Sequence, residues 1–257
     1  MEHPITPNLG ILATIVAKER LRMRGAAFPL PFRSRPLKGM GPFEKALRQA
    51  DLPVIGEFKR ASPSLGPFAL EADLQERLAA YVRGGAAAFS ILAEQDFFGG
   101  REGDYPLALA FGVPVLYKGF VCTRQHLDEA AALGAQAVLL IARVLADETP
   151  AYAAAARVLG LEPLVEIHDP GELPWAQMAH ARMVGWNVRN LADFSEGATD
   201  LGLLREAFPE ALLIRESGLR TPAAARAALD QGFDALLMGE ALMKAPDPAA
   251  FLAGIRP

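Results

Sequence analysis

The sequence predicts a (β/α)8 barrel, and three observations carry that prediction. Eight short β-branched or apolar runs recur along 257 residues, and stretches rich in Ala, Leu, Glu and Arg at helical spacing separate them. The runs are apolar almost throughout and do not alternate, which marks a parallel sheet covered on its outer face. No break in composition divides the repeat, so one closed barrel of eight βα units fits better than a doubly wound open sheet.

The strand runs fall at 54–58, 86–92, 113–117, 137–141, 162–167, 183–187, 211–215 and 235–238. The clearest helical stretches between them are 72–83, 124–133, 149–159, 201–208 and 221–231. Glycines at 84, 85, 134 and 232 stand just past helix ends, where a left-handed cap turns the chain back toward the sheet. Ahead of the repeat, residues 5–24 predict an amphipathic helix with Leu9, Leu12, Ile15 and Val16 on one side and basic residues toward its end. Residues 28–42 hold Pro29, Pro31, Pro36 and Pro42 and predict an extended connector. The expected organisation is one domain over 1–257, of which 1–45 is a helix and Pro-rich connector covering one mouth of the barrel.

Hydrophobic residues make up 51% of the chain, charged residues 22%, and the formal net charge is −4. That composition suits a large core and supplies no field for nucleic acid or an anionic membrane. No uncharged run, 130–142 included, reaches the roughly 18 apolar residues of a membrane span. One cysteine, Cys122, excludes an intramolecular disulfide framework and a cysteine-rich zinc site, and it fits a cytoplasmic location. Cys122 and His126 stand four residues apart without a further ligand, and His3 and His180 read as surface residues. No G-x-G-x-x-G follows a strand and no P-loop occurs, so no cofactor and no metal are expected.

Barrels of this kind do their chemistry at the C-terminal ends of the strands, and those ends carry polar residues that a core would refuse. The first strand delivers Glu57 and Lys59, followed by Arg60, Ser62 and Ser64, and the third ends in Lys118. The fifth carries Glu166 and His168, the sixth Asn187 and Arg189, the seventh Glu216, Ser217 and Gly218, and the eighth Gly239 and Glu240. Buried unpaired charges are expensive, so Glu57, Lys59, Lys118, Glu166 and Glu216 converging on one face must pair with one another or meet a ligand. Glycines after strands seven and eight suit a phosphate held by backbone N–H groups at a helix start, with Lys59, Ser62 and Arg189 completing the anion site. His168 reads equally as a hydrogen-bonding partner of Glu166 or as a catalyst.

The stretches EFKRASPSLG (57–66), SILAEQDFFGG (90–100), PVLYKGF (114–120), GAQAVLLI (134–141), LVEIH (164–168), NVRNL (187–191), ESG (216–218) and MGEALM (238–243) resemble indole-3-glycerol phosphate synthase in order and spacing. The resemblance covers nearly the whole chain and is to the monofunctional form. It implies conversion of 1-(2-carboxyphenylamino)-1-deoxyribulose 5-phosphate to indole-3-glycerol phosphate, CO2 and water, without metal or organic cofactor. It further implies Lys118 as general acid in ring closure, with Glu166 and Lys59 as proton acceptor and donor in the later dehydration. Glu57 and Asn187 would hold hydroxyls, Glu57 would orient Lys59, and Glu216 and Ser217 would line the same pocket. Phosphate would sit on Lys59, Ser62, Gly218, Gly239 and Glu240, and Arg60, Phe98, Phe120, Leu139, Ile141, Arg189 and Leu191 would surround the anthranilate. A lysine acid also calls for a lowered pKa, expected here from the neighbouring Lys59 and partial desolvation.

The chain departs from the family's pattern at Gly119, where Asp usually follows the lysine, and at Val188, Asn190, Arg215 and Trp186. These departures keep open a divergent paralogue acting on a related phosphorylated substrate and a catalytically weak phosphometabolite-binding barrel; a Schiff-base lyase or aldolase using Lys118 is a separate reading. The partner expected in each case is a phosphorylated small molecule, with no nucleic acid and no membrane. Other tryptophan-pathway enzymes are candidate partners, and the chain is expected to be a monomer or a weak homodimer.

Overall fold

A computed structural model describes residues 10–29, 36–189 and 200–256. Eight parallel strands close into a barrel: β1 (Val54–Phe58), β2 (Ala88–Leu92), β3 (Val115–Lys118), β4 (Ala137–Ile141), β5 (Glu162–Ile167), β6 (Met183–Asn187), β7 (Leu212–Glu216) and β8 (Ala235–Met238). Each strand pairs with its sequence neighbours, and β1 closes the ring on β8 in a register that sets Val54 beside Leu236. All eight predicted runs are strands; the second, third and seventh begin one or two residues later than the apolar pattern suggests, because their first residues still belong to the preceding turns.

Alternation along each strand divides the core in two. Outward residues such as Val54, Phe89, Val138, Val165 and Leu213 pack under the surrounding helices, while inward Ile55, Leu116, Leu139, Leu164, Ile214 and Leu237 fill the barrel. Both faces are mostly apolar in the lower and middle layers, which is why the strands read as nearly unbroken apolar runs. The helices follow in order: α1 (Ile11–Arg22), α2 (Pro42–Gln49), α3 (Leu74–Gly84), α4 (Asp104–Leu109), α5 (Arg124–Ala132), α6 (Ala142–Leu145), α7 (Thr149–Val158), α8 (Leu173–Met178), α9 (Leu201–Ala207), α10 (Pro222–Asp230), α11 (Glu240–Lys244) and α12 (Pro248–Ala253). Asp73, Asp200, Thr221 and Asp247 cap α3, α9, α10 and α12 through side-chain oxygens.

Two helices precede the repeat, and they close opposite ends. Leu12, Ile15 and Val16 of α1 pack with Phe120, Leu139 and Ile141, and Lys18 reaches Asp96 at 2.7 Å, so α1 lies beside the C-terminal mouth. The start of α2 is capped from the other end: the Glu162 carboxylate, at the first residue of β5, accepts from the Phe43 and Glu44 amides at 2.7 and 2.9 Å. Arg182, just before β6, donates to Glu44 at 2.8 and 2.9 Å. The expected connector through Pro42 therefore ends early, because proline at the first helical position needs no N–H partner and starts α2 instead of breaking it. Of the residues assigned to the predicted first helix and connector, 5–9 and 30–35 lie outside the described residues.

Among the described residues no helix is long and apolar enough to cross a membrane, and no group of three or more His, Cys, Asp or Glu could hold a metal.

Candidate active site

Period two along the strands brings Glu57, Lys118, Glu166, Asn187 and Glu216 inward as the last layer of the barrel, above the apolar fill. They line a cavity of about 690 Å3, well within the roughly 300–1,000 Å3 of small-molecule sites. Lys118 is its centre: Nζ donates to Glu216 at 2.7 Å and to Glu166 at 3.1 Å. Lys59 donates to Glu57 at 2.7 Å. The five charges predicted to converge are thus brought together, in two adjoining ion-paired groups.

Small residues make the room. Gly185 on β6 lies between Glu166 and Ile214 in register, and a Cβ added there would sit 2.1 Å from Glu216 Oε1. At Gly239 an added Cβ would come within 2.3 Å of Glu57 Oε1 and 3.1 Å of Lys59 Nζ. Gly119 takes a different part: a Cβ there would lie 2.6 Å from the ring of Tyr117, on the outer face of β3. Lys118 points into the cavity without a carboxylate at 119, because Glu166 and Glu216 hold it from across the barrel.

These contacts set the charge states. Burial alone lowers the pKa of Lys118, but Glu166, Glu216 and Glu57 outweigh it, so the ammonium is held above its ordinary value. That corrects the expectation of a lowered pKa: Lys59 is already paired with Glu57, and three carboxylates face Lys118. Burial raises Glu166, yet Lys118 and His168 bring it well below the usual carboxylate range. Burial raises Glu216 too, Lys118 opposes, and the Glu166 carboxylate adds to the rise, pushing Glu216 up to about 8. The trio therefore holds one ammonium, one carboxylate and one carboxylic acid near neutrality.

The rim divides into polar and aromatic sides. Asn187 Oδ1 accepts from Ser217 Oγ at 2.8 Å and from the Arg189 amide at 3.1 Å, tying the ends of β6 and β7. Ser217 and Gly218 both take positive φ, 66° and 73°; the serine pays conformational strain that glycine avoids. Gly239 precedes α11 without a side-chain cap, and Arg189 lies 3.4 Å from Glu240. On the other side Phe98 and Phe120 pack with ring centroids 5.7 Å apart, near Leu139 and Ile141.

Two predicted residues are elsewhere. Arg60 is buried and bonded in a fork to Asp104 at 2.6 and 2.9 Å, over the Phe58 ring, and does not line the cavity. Ser62 is buried in a two-residue ladder with Gly66 and contacts Ser64 at 3.3 Å. Leu191, like Asn190, lies outside the described residues. Among the other departures, Trp186 and Val188 are buried in the outer core, and Arg215 stands over Phe233.

Sequence reasoning missed Leu219 after β7 and Lys244, Asp247 and Phe251 beyond β8, which also line the cavity. The signal of those beyond β8 was weak, since α11 and α12 are too short for a helical period to show. It also missed Glu94, whose carboxylate accepts from the amides of Asp96, Phe97 and Phe98 and shapes the loop that carries Phe98.

Cys122 is buried with its thiol pushed up to about 11, and His126 is fully buried against Thr123 and Glu19, so neither is a ligand pair.

Comparison with known proteins places the chain. A family model described as indole-3-glycerol phosphate synthase matches residues 16–255. The indole-3-glycerol phosphate synthase of Exiguobacterium sibiricum is 41% identical over 217 residues, covering 82% of this chain and 83% of the relative. Indole-3-glycerol phosphate synthase 2 of Streptomyces coelicolor is 39% identical over 254 residues, 96% of this chain and 98% of the relative. Two solved structures share the fold at 17% identity. They are a thiamine phosphate pyrophosphorylase from Pyrococcus furiosus, with TM-score 0.58 over 82% of this chain and 96% of that one, and an N-acetylmannosamine-6-phosphate 2-epimerase from Clostridium perfringens, with TM-score 0.62 over 82% and 94%. The match along almost the entire chain, over a barrel whose inward charges meet at one mouth, makes this protein a member of the indole-3-glycerol phosphate synthase family.

Proposed function

We propose that the protein catalyses ring closure, decarboxylation and dehydration of 1-(2-carboxyphenylamino)-1-deoxyribulose 5-phosphate to indole-3-glycerol phosphate, a step of tryptophan biosynthesis. The observation that carries the proposal, within a chain of this family, is Lys118 held between Glu166 and Glu216 inside the cavity.

In this reading the anthranilate ring carbon attacks the ketone carbon, the new C–C bond forms, and Lys118 gives its proton to the ketone oxygen. Loss of CO2 returns its electron pair to the ring and restores the aromatic system. In the following dehydration Glu166 takes a proton and Lys59 gives one to the departing hydroxyl, which leaves as water. A raised lysine pKa suits this order: Lys118 enters charged, and the substrate carboxylate competes with Glu166 and Glu216 for it. Much of the rate then comes from holding ring and ketone in contact, which Phe98, Phe120, Leu139 and Ile141 support by enclosing an apolar slot.

Glu57 orients Lys59, and Asn187 and Ser217 hold hydroxyls. The substrate phosphate sits on the backbone at Gly218, Gly239 and Glu240, with Lys59 and Arg189 as its cations. Arg60 acts here by shaping the loop under Phe98, through its bond to the Gly99 carbonyl at 3.1 Å. Ser62 and Leu191 remain assigned to phosphate and anthranilate respectively on resemblance alone. The reading also takes the protein to work in the cytoplasm, as a monomer or weak homodimer.

The test is the appearance of the indole chromophore when purified protein meets the substrate. If the protein makes no product while a known synthase does, the proposal fails. Borohydride trapping of a covalent lysine adduct would instead favour the lyase reading, since the synthase steps form none.

A further inference from the structure

Beyond the cavity wall, a buried line of alternating charges runs away from Glu166. His168 follows β5, its side chain is 3% exposed, and its Nε2 lies 3.2 Å from Glu166 Oε1. The other ring nitrogen, Nδ1, lies 3.6 Å from Glu172 Oε2. Glu172 is fixed twice more: it accepts from the His168 amide at 2.9 Å and from Arg143 at 2.7 Å. Arg143 in turn reaches Asp169 at 3.0 Å. Both imidazole nitrogens are buried and lack strict hydrogen-bond geometry, so the ring is held by charge and packing between two carboxylates.

We propose that His168 is a positioning residue for Glu166, a buried imidazolium that keeps this carboxylate ionised and aimed while Lys118 changes its charge. The inference rests on the synthase reading and adds to it a role for a side chain that does not line the cavity.

The need arises from the chemistry. Glu166 touches two cations among the described residues, Lys118 and His168. When Lys118 gives up its proton in ring closure, Glu166 loses the first, and a carboxylate left unpaired in a buried site would take up a proton or swing away. An imidazolium that stays in place prevents both and leaves Glu166 ready to accept a proton in dehydration. Burial lowers the pKa of His168, but Glu166 and Glu172 outweigh it and raise it to about 9, while Arg143 works in the opposite sense. The groups that bear on the His168–Glu166 pair are thus Glu172, Arg143 and Asp169 on one side and Lys118 and Glu216 on the other.

Two measurements on the full chain test this. In turnover, His168→Ala is expected to lower kcat about 10-fold or more while KM changes less than about threefold, since the ring shapes proton transfer and not binding. Losing the cation also raises the pKa of Glu166, so the acid limb of the kcat–pH profile moves to higher pH. His168→Gln keeps an N–H donor near Nε2 without the charge; it should recover part of kcat and leave the acid limb displaced. Kcat within twofold of wild type and an unmoved acid limb in these variants, each shown folded by circular dichroism, would overturn the proposal.

The second measurement needs no turnover and no variant of His168: 15N chemical shifts of the imidazole are followed against pH in wild type and in Glu166→Gln. The ring should hold both protons well above neutrality in wild type and lose the second at least one pH unit earlier in the variant. A ring that is neutral at pH 7 in wild type, or that titrates alike in both proteins, overturns the proposal even if the alanine and glutamine variants fail to fold. Absence of product from wild type would sink the synthase reading on its own, and the ring titration would still decide whether His168 is the charged partner of Glu166.

Discussion

Glu216 offers a sharp test of the site's electrostatics, because the perturbation is one atom pair. In Glu216→Gln the side chain keeps its size beside Gly185 and Lys118 but can never ionise. Glu216 in the folded protein is raised from 4.5 to about 8. A group raised on folding adds stability that is fully present below its unfolded value and is lost as pH climbs through the folded one. The wild type should therefore lose stability relative to the variant from about pH 4.5 up to about pH 8, with little further change above that. The rise from 4.5 to about 8 corresponds, at about 1.36 kcal/mol per pH unit, to a penalty on the order of 5 kcal/mol at the alkaline end. His168, raised to about 9, loses stability in part of the same window, but it is present in both proteins and largely cancels in their difference.

The assay is thermal unfolding of both proteins from pH 4.5 to pH 9.5. Near pH 4.5 the two should agree to within about 1 kcal/mol, as expected for exchanging one neutral hydrogen-bonding group for another. By pH 9 the variant should be the more stable, with a Tm advantage on the order of 10 °C for a chain of this size. A difference that stays flat across the range would show that Glu216 ionises near its ordinary value. The assignment of one ammonium, one carboxylate and one acid to the trio would then be wrong.

The remaining predictions concern the same mouth. Lys118→Ala and Glu166→Gln should each lower kcat by about 10² or more, measured by indole absorbance, and near-normal turnover in either would remove its assigned role. Arg60→Leu leaves Asp104 buried without its partner and should cost about 3–5 kcal/mol in urea unfolding; an unchanged midpoint with a large rise in KM would instead make Arg60 a substrate contact. Gly185→Ala puts a methyl group where Glu216 Oε1 stands, and should cost about 1–3 kcal/mol and lower kcat; wild-type values for both would show that the trio is loosely held. Gly119→Ala meets the Tyr117 ring and should also lower Tm, with Lys118 contacts intact; an unchanged Tm would show that the ring moves freely.

Much of this architecture was legible from the order of residues. The eight runs became strands with ends shifted by at most two residues, since continuous apolar character is what a covered parallel sheet demands of a chain. The placement of Glu57, Lys118, Glu166, Asn187 and Glu216 at one mouth followed from their position at the C-terminal ends of the predicted strands, as polar residues closing apolar runs. The helix from Pro42 escaped notice because proline reads as a breaker unless the helix start is known, and that start is marked by Glu162, more than a hundred residues away.

What the sequence by itself determined, then, was the barrel and the list of charged residues at its mouth, because both depend on the order of elements along the chain and on which residues end each strand. Which of those charges pair was decided only by closure of the sheet. Lys118 meets Glu166 and Glu216 across the barrel, so its pKa rises where crowding by Lys59 and partial desolvation had suggested a fall. Arg60 stands one residue from Lys59 in sequence, yet it points away to Asp104, 44 residues on. Electrostatic energy depends on distance and burial in space, and neither can be counted along a chain.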